Sequence, residues 1–190
     1  MKTGTKVLIG IAAVIIVLAI ILISGYNGLV SRSESVDNFY SQIDTQLQRR
    51  SDLIPNLVST VKQYASHETQ IFTDVAEARA KLAGAGSVSE RAEADAELDS
   101  ALSRLLAIAE AYPDLKANQN FINLQDELAG TENRIATSRR DYNDSVRDFN
   151  TRIRRFPTNI IANMFNFESA EYFEASEDSK ENPNVEDLFD

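Results

Sequence analysis

A single histidine, His67, and no cysteine set the limits on chemistry in this 190-residue chain. His67-Glu68 begins like an H-E-x-x-H zinc motif, yet the second ligand position falls on Ile71. Composition excludes ordinary structural zinc sites and Cys–His nucleophiles, and a Ser–His–Asp relay would have to be built on His67. A di-iron bundle needs two Glu-x-x-His pairs, and the chain has none. Gly84-Ala-Gly86 reads as a helix–helix connector, not a phosphate-binding loop. His67, on a helix beside Tyr64 and Ile71, reads as a partly exposed structural residue. The expectation is a non-enzymatic protein with no catalytic residue, metal or cofactor.

Arginine offers more. It occurs as three adjacent pairs, Arg49-Arg50, Arg139-Arg140 and Arg154-Arg155. The planar guanidinium suits interhelical ion pairs and phosphate groups. Arg50 continues the apolar spacing of Ile43 and Leu47, with Asp52 close behind, so Arg49, Arg50 and Asp52 are assigned to capping and register. The other two pairs read as solvated helix faces. Pro55, Phe156, Pro157, Phe165 and Phe167 complete the candidate structural or interaction residues. Polar residues that break an apolar stripe in register would mark a ligand pocket, and Thr131 and Ser138, near Ile135, are the candidates.

These residues need elements to position them, and the first is an apolar rod. From Val7 to Ile23 there is no charge and almost every side chain is aliphatic. Residues 7–24 make ~27 Å of helix at 1.5 Å per residue, enough to reach across a hydrocarbon core of about 30 Å. The run is longer than the usual secretory h-region and lacks an A-x-A-like cleavage site, so it reads as a retained membrane anchor. Lys2 and Lys6 precede it, whereas Arg32 follows with Glu34 and Asp37 close behind. The positive-inside tendency puts residues 1–6 in the cytoplasm and everything from Tyr26 onward outside the cell (inner) membrane.

The remaining length suffices for one domain, over 25–175. Glycine and proline are scarce, 7 and 4 in the chain, and no segment alternates like a strand. Net charge is −10, of which residues 174–190 carry seven acids against Lys180, a net of −6. That leaves no basic footprint for nucleic acid. An acidic tail over 176–190 has little to bury and reads as disordered.

Tyr26, Leu29, Val30, Val36, Tyr40, Ile43 and Leu47 recur at spacings of three and four, one stripe on a helix. A stalk continuing the anchor is expected to end near Arg50. A proline inside a helix costs about 3 kcal/mol or more. If Asp52 is the N-cap, Pro55 instead occupies the third helical position, so a break is expected at residues 50–52. A second helix then runs to Gly84 through Leu57, Val58, Val61, Tyr64, Ile71, Val75, Ala78 and Leu82. Ser87 and Glu90 form a capping box for a third helix with Leu98, Ala101, Leu102, Leu105, Ile108 and Tyr112 inward, stopped by Pro113. After a connector, PDLKAN, Phe121, Leu128, Ile135, Tyr142, Phe149 and Phe156 follow one another every seven residues on a fourth helix, Asn118 to Arg155. The companion apolar position drifts from Leu124 to Val146 and Ile153, as on a nearly straight helix of 3.6 residues per turn. Such a helix spans ~57 Å and buries a stripe only against equally long partners. The fold class expected is all-α, an N-terminal transmembrane helix followed by an elongated antiparallel four-helix bundle. Pro157 ends the fourth helix, and Thr158 or Asn159 caps a short one with Ile160, Ile161, Met164, Phe165 and Phe167; Tyr172 and Phe173 follow.

The stretch from Tyr26 to Glu68, EARA at Glu77 to Ala80, the region from Asn120 onward and FPTNIIANMFNF with EYF, from Phe156 to Phe173, resemble the LemA family of bacterial membrane proteins. RRSDLIPNLV and FPTNIIA are the most distinctive blocks. The resemblance implies one N-terminal transmembrane helix and a helical bundle, but no reaction. It also implies, weakly, a membrane zinc metalloprotease as partner. Family descriptions tend to place the short N-terminus outside, opposite to the charge argument. Many relatives finish in a Pro-x-Val-x-Phe-like strand, whereas Pro183 and Val185 are followed here by Asp187.

The function expected is a membrane-anchored helical scaffold or adaptor. Its partners are the lipid bilayer, through the N-terminal helix, and unidentified proteins. The alternative is a small-ligand sensor or a metalloprotease accessory factor. The Ile160–Phe173 cluster or the anchor would also allow a homo-oligomer.

Overall fold

The computed structural model describes residues 3–174. The expected acidic tail lies outside the described residues. Six helices make up the fold, with no strand among the described residues: α1 Thr3–Lys62, α2 Thr69–Gly84, α3 Val88–Ala109, α4 Pro113–Lys116, α5 Gln119–Arg154 and α6 Thr158–Met164. The all-α expectation holds, and four of the helices are long.

Helix α1 passes straight through the expected break. Asp52 is not an N-cap but an exposed mid-helix residue that accepts a hydrogen bond from Gln48 Nε2 at 2.8 Å, and Pro55 lies inside the helix. Proline has no N–H for the carbonyl four residues back, which here is Ser51 O. That carbonyl accepts instead from Arg79 Nε of α2 at 3.0 Å, and the same N–H reaches Ser51 Oγ at 3.0 Å. A side chain from a neighbouring helix thus satisfies the acceptor that the proline orphans.

The chain turns later, over 63–68, so the long second helix is divided there. Tyr64 and Ala65 N–H both bond Val61 O, closing α1 in a tight turn. Ala65 is buried and Tyr64 Oη accepts from Asn118 Nδ2 at 2.9 Å, so the turn is pinned by packing that no residue type in it announces. His67 lies exposed in this turn, not on a helix. The connector PDLKAN is itself largely helix α4, with Pro113 in its first turn and Leu115 buried. Helix α3 starts as expected: Ser87 Oγ accepts from Glu90 N–H, and the Glu90 carboxylate accepts from Ser87 N–H.

Two compact units partition the described chain. The first takes in residues 3–40 and 141–170. Here α1 and α5 run antiparallel, Arg32 pairing with Asp148 and the Tyr40 ring lying tilted against Tyr142, centres 5.8 Å apart. Leu29, Val36, Tyr142, Val146, Phe149, Ile161 and Ala162 form the core. Buried Asn150 bonds the Ala170 backbone twice, its Nδ2 to the carbonyl and its Oδ1 from the N–H, both at 2.9 Å. Helix α6 begins after Pro157, its N-cap, with no side-chain cap, so Thr158 and Asn159 do not cap it. Asn166, at φ 56°, closes it: Phe167 N–H reaches back to Ala162 O at 2.9 Å, the six-to-one bond of a Schellman turn.

The second unit takes in residues 41–140 and 171–174 and is a four-helix packing of α1, α2, α3 and α5. Helix α2 runs antiparallel to α3, paired through Lys81–Glu97 and Arg104–Asp74, and α1 meets α5 through Arg49–Glu127. Ile43, Ile54, Leu57, Val61, Val75, Leu98, Leu105, Leu115, Phe121 and Ile135 are almost wholly buried.

Candidate functional site

Within the second unit, the stripe that carries Ile43, Leu47 and Ile54 of α1 inward also carries Arg50. Only 3% of Arg50 is exposed, so its charge must be met locally. Nη1 donates to Asp95 Oδ1 of α3 at 3.1 Å and to Glu132 Oε2 of α5 at 2.8 Å, while Nη2 is paired with Asp99. One guanidinium therefore ties α1 to two other helices with the fork geometry that lysine lacks. Asp95 is fully buried and meets a second cation, Arg139 of α5, at its Oδ2. That contact is an ion pair without an aligned hydrogen bond, and Arg139 Nε has no acceptor. The Arg139 guanidinium also lies 5.0 Å from the centre of the Phe173 ring.

Two arginines and three carboxylates thus form one cluster. Burial lowers the Arg50 guanidinium from its ordinary value, against the pull of Glu132. Burial first, and then the charge of Arg50, brings Arg139 down to about 10. At about 10, Arg139 stays protonated at neutral pH. The carboxylates are engaged by guanidinium groups, and among the described residues no group of three His, Cys, Asp or Glu is arranged to hold a metal ion.

The expected residues fall in different places. Arg50 is at the centre of the cluster, while Arg49 is a half-exposed partner of Glu127 at 3.7 Å. Asp52 and Pro55 are exposed on α1 and stand outside the cluster. Arg139 is a correction: its side chain is 27% exposed and inside the cluster, whereas Arg140 keeps an exposed face. Thr131 and Ser138 are buried, but Thr131 Oγ1 bonds Glu127 O of its own helix at 2.8 Å, so the hydroxyl is satisfied without a ligand. Asp95, Asp99, Glu132 and Arg79 were not singled out by sequence. Asp95 alone left a trace, standing in register with Leu98, Leu102 and Leu105 on the buried face of α3.

In the first unit, Phe156 departs from the buried series of α5: it lies past the helix end and is 81% exposed. Pro157 caps α6. Phe165 is half-exposed with its ring 4.7 Å from Tyr26, and Phe167 sits between Tyr26, at 5.9 Å, and Phe149, at 6.4 Å.

Comparison with known proteins adds the lineage. The LemA family profile matches residues 39–186. Magnetosome protein MamQ 2 of Paramagnetospirillum magneticum is 28% identical over 179 residues, covering 80% of this chain and 66% of the relative. Magnetosome protein MamQ of Magnetospirillum gryphiswaldense is 27% identical, covering 80% and 65%. Protein LemA of Metamycoplasma hominis is 24% identical over 152 residues, covering 80% and 69%. The chain spans just under two thirds of the length of the MamQ relatives it matches.

Proposed function

The chain belongs to the LemA family, and from that premise we propose that it is a membrane-anchored helical scaffold that acts on other proteins by binding and not by turnover. The observation that carries this reading is the N-terminal part of α1. Its apolar 18-residue window is long enough to cross a bilayer, and none of it is buried against the rest of the chain. An apolar surface of that size exposed to water is untenable for a soluble monomer. In lipid it is satisfied, because a helix meets its own backbone hydrogen bonds. No linker separates the span from the packed helices, since α1 continues unbroken to Lys62.

A binding role is supported by the surface of the second unit. Between α1 and α5 lies a shallow, open depression lined by Leu53, Asn56, Thr60, Asn120, Asn123 and Leu124. Amides, hydroxyls and the Glu127 carboxylate around two leucines suit an extended polypeptide better than a small molecule, which needs an enclosed site. The charged cluster is structural in this reading, a register lock for the surface.

Two measurements test the proposal. Full-length protein is expected to stay with membranes through alkaline carbonate washing, and a chain lacking residues 1–24 to leave them. A photo-crosslinker at Asn123 is expected to give discrete protein adducts in cells that disappear with Leu53→Arg. Release of the intact chain by carbonate removes the anchor; the absence of adducts from this surface removes the scaffold.

A further inference from the structure

Helix α6 has two apolar faces. Thr158, Ile161 and Ala162 are buried, as a packed helix requires, but Ile160 and Met164, four residues apart on another face, are 51% and 59% exposed. Phe156 before it and Phe165 after it are 81% and 50% exposed. A water-facing helix would carry charge there, yet none occurs between Arg155 and Glu168. Such a patch marks an interaction surface.

Its position says what covers it. A Cβ on Gly25 of α1 would collide with Ile161 Cδ1, so the two helices meet at closest approach there. Tyr26, one residue on, holds the Phe165 ring. Gly25 is two residues past Ile23, the last aliphatic of the span, about 3 Å along the axis. The headgroup layer of one leaflet is about 5–8 Å thick, half the difference between the whole bilayer and its hydrocarbon core. With residues 7–24 centred in hydrocarbon, Gly25 stands about 14 Å from the midplane of a core about 15 Å deep on each side, so its contact with Ile161 falls at the boundary between hydrocarbon and headgroups. Exposed Arg154 and Arg155, at the start of the same segment, are placed to reach lipid phosphate.

We propose that α6, with Phe156 and Phe165, is a second membrane contact, an interfacial foot lying in the headgroup layer of the leaflet from which α1 emerges. It rests on the reading of α1 as an anchor. An anchor alone leaves the chain free to tilt and spin; a foot beside it fixes both.

The chain has no cysteine, so a single introduced thiol reports one position. The full chain is reconstituted in phosphatidylcholine vesicles with an environment-sensitive fluorophore on Ile160→Cys or Met164→Cys. Ile15→Cys serves as the span reference and Lys81→Cys as the aqueous one. Labels at 160 and 164 are expected to be quenched by nitroxide lipids carrying the spin near the headgroup, and severalfold less by acrylamide than the label at 81. The label at 15 is expected to respond to deep nitroxides. If 15 responds but 160 and 164 are as open to acrylamide as 81, the foot is wrong and the anchor stands. If 160 and 164 are shielded from acrylamide and from nitroxide alike, protein covers the patch and the foot is again wrong. If 15 ignores the lipid, anchor and foot fall together.

Discussion

Arg50, buried in the second unit, is paired with three carboxylates at once. A buried ion pair is not a large net source of stability, because desolvation consumes most of the Coulombic gain. Removing one partner is different, since the others stay behind unpaired. Arg50→Ala leaves Asp95, with no exposure, facing Arg139 alone. The expected cost is about 3–5 kcal/mol, read by urea denaturation of the full chain in detergent. Arg50→Lys is expected to recover only part of it, because one ammonium cannot serve Asp95, Asp99 and Glu132 with the same fork. Arg50→Ala unfolding like the parent would show the carboxylates are held by something else. In the first unit, Asn166 occupies the left-handed region at φ 56°. Asparagine tolerates it, glycine does so freely, and other residues pay about 1–2 kcal/mol. Asn166→Gly is therefore expected to be near neutral and Asn166→Val to lower the melting temperature; equal melting of the two would overturn the assignment.

The helices themselves are held by devices of two kinds. Pro55 within α1 is tolerated because Arg79 of α2 donates to the carbonyl that the proline cannot serve. The two residues are consequently coupled across helices. Arg79→Met is expected to cost about 1.5–3 kcal/mol, as for a hydrogen bond to a charged group, and markedly less in a Pro55→Ala background. Identical costs in both backgrounds would show that the bond to Ser51 O is incidental. The start of α3 is a local device. Backbone N–H groups of Gly86 and Ser87 bond the Glu90 carboxylate at 2.9 and 3.1 Å and hold it below its ordinary range. With the folded value below the unfolded one, near 4.5, the stabilisation is complete above the unfolded value and fades as pH falls through the folded one. Glu90→Gln is expected to lose helicity less steeply on acidification than the parent; superimposable acid titrations would remove the box from the account.

For the molecule as a whole, the apolar stretch near the start of α1 imposes an environment on everything after it. Its side chains from Val7 to Ile21 are roughly half exposed, and none contributes to either core. A chain without residues 1–24 is expected to keep its helical circular dichroism, because the cores begin at Leu29. Helicity lost with the span would mean that the bilayer, or a second copy within it, organises the packed helices. Topology is a separate question. Lys2 and Lys6 favour a cytoplasmic N-terminus, and protease accessibility of the far end in intact cells against spheroplasts gives the answer directly.

Periodicity and local chemistry decided a great deal. Phe121, Leu128, Ile135, Tyr142 and Phe149 are buried as their spacing demands, and the Ser87–Glu90 box starts α3, because stripes and caps depend on residues within a turn or two. The long apolar stretch at the start of α1 is legible for the same reason. What the sequence left undecided depends on partners far along the chain. Pro55 reads as a helix breaker until Arg79, 24 residues on, is placed beside it. Arg139 reads as solvated until Asp95 arrives from another helix. Phe156 keeps the seven-residue rhythm but falls two residues past the end of α5, and so faces outward. Helices are written locally; the compensation of a buried charge or an orphaned carbonyl is a matter of which helix comes to lie alongside, and only tertiary packing brings those groups together.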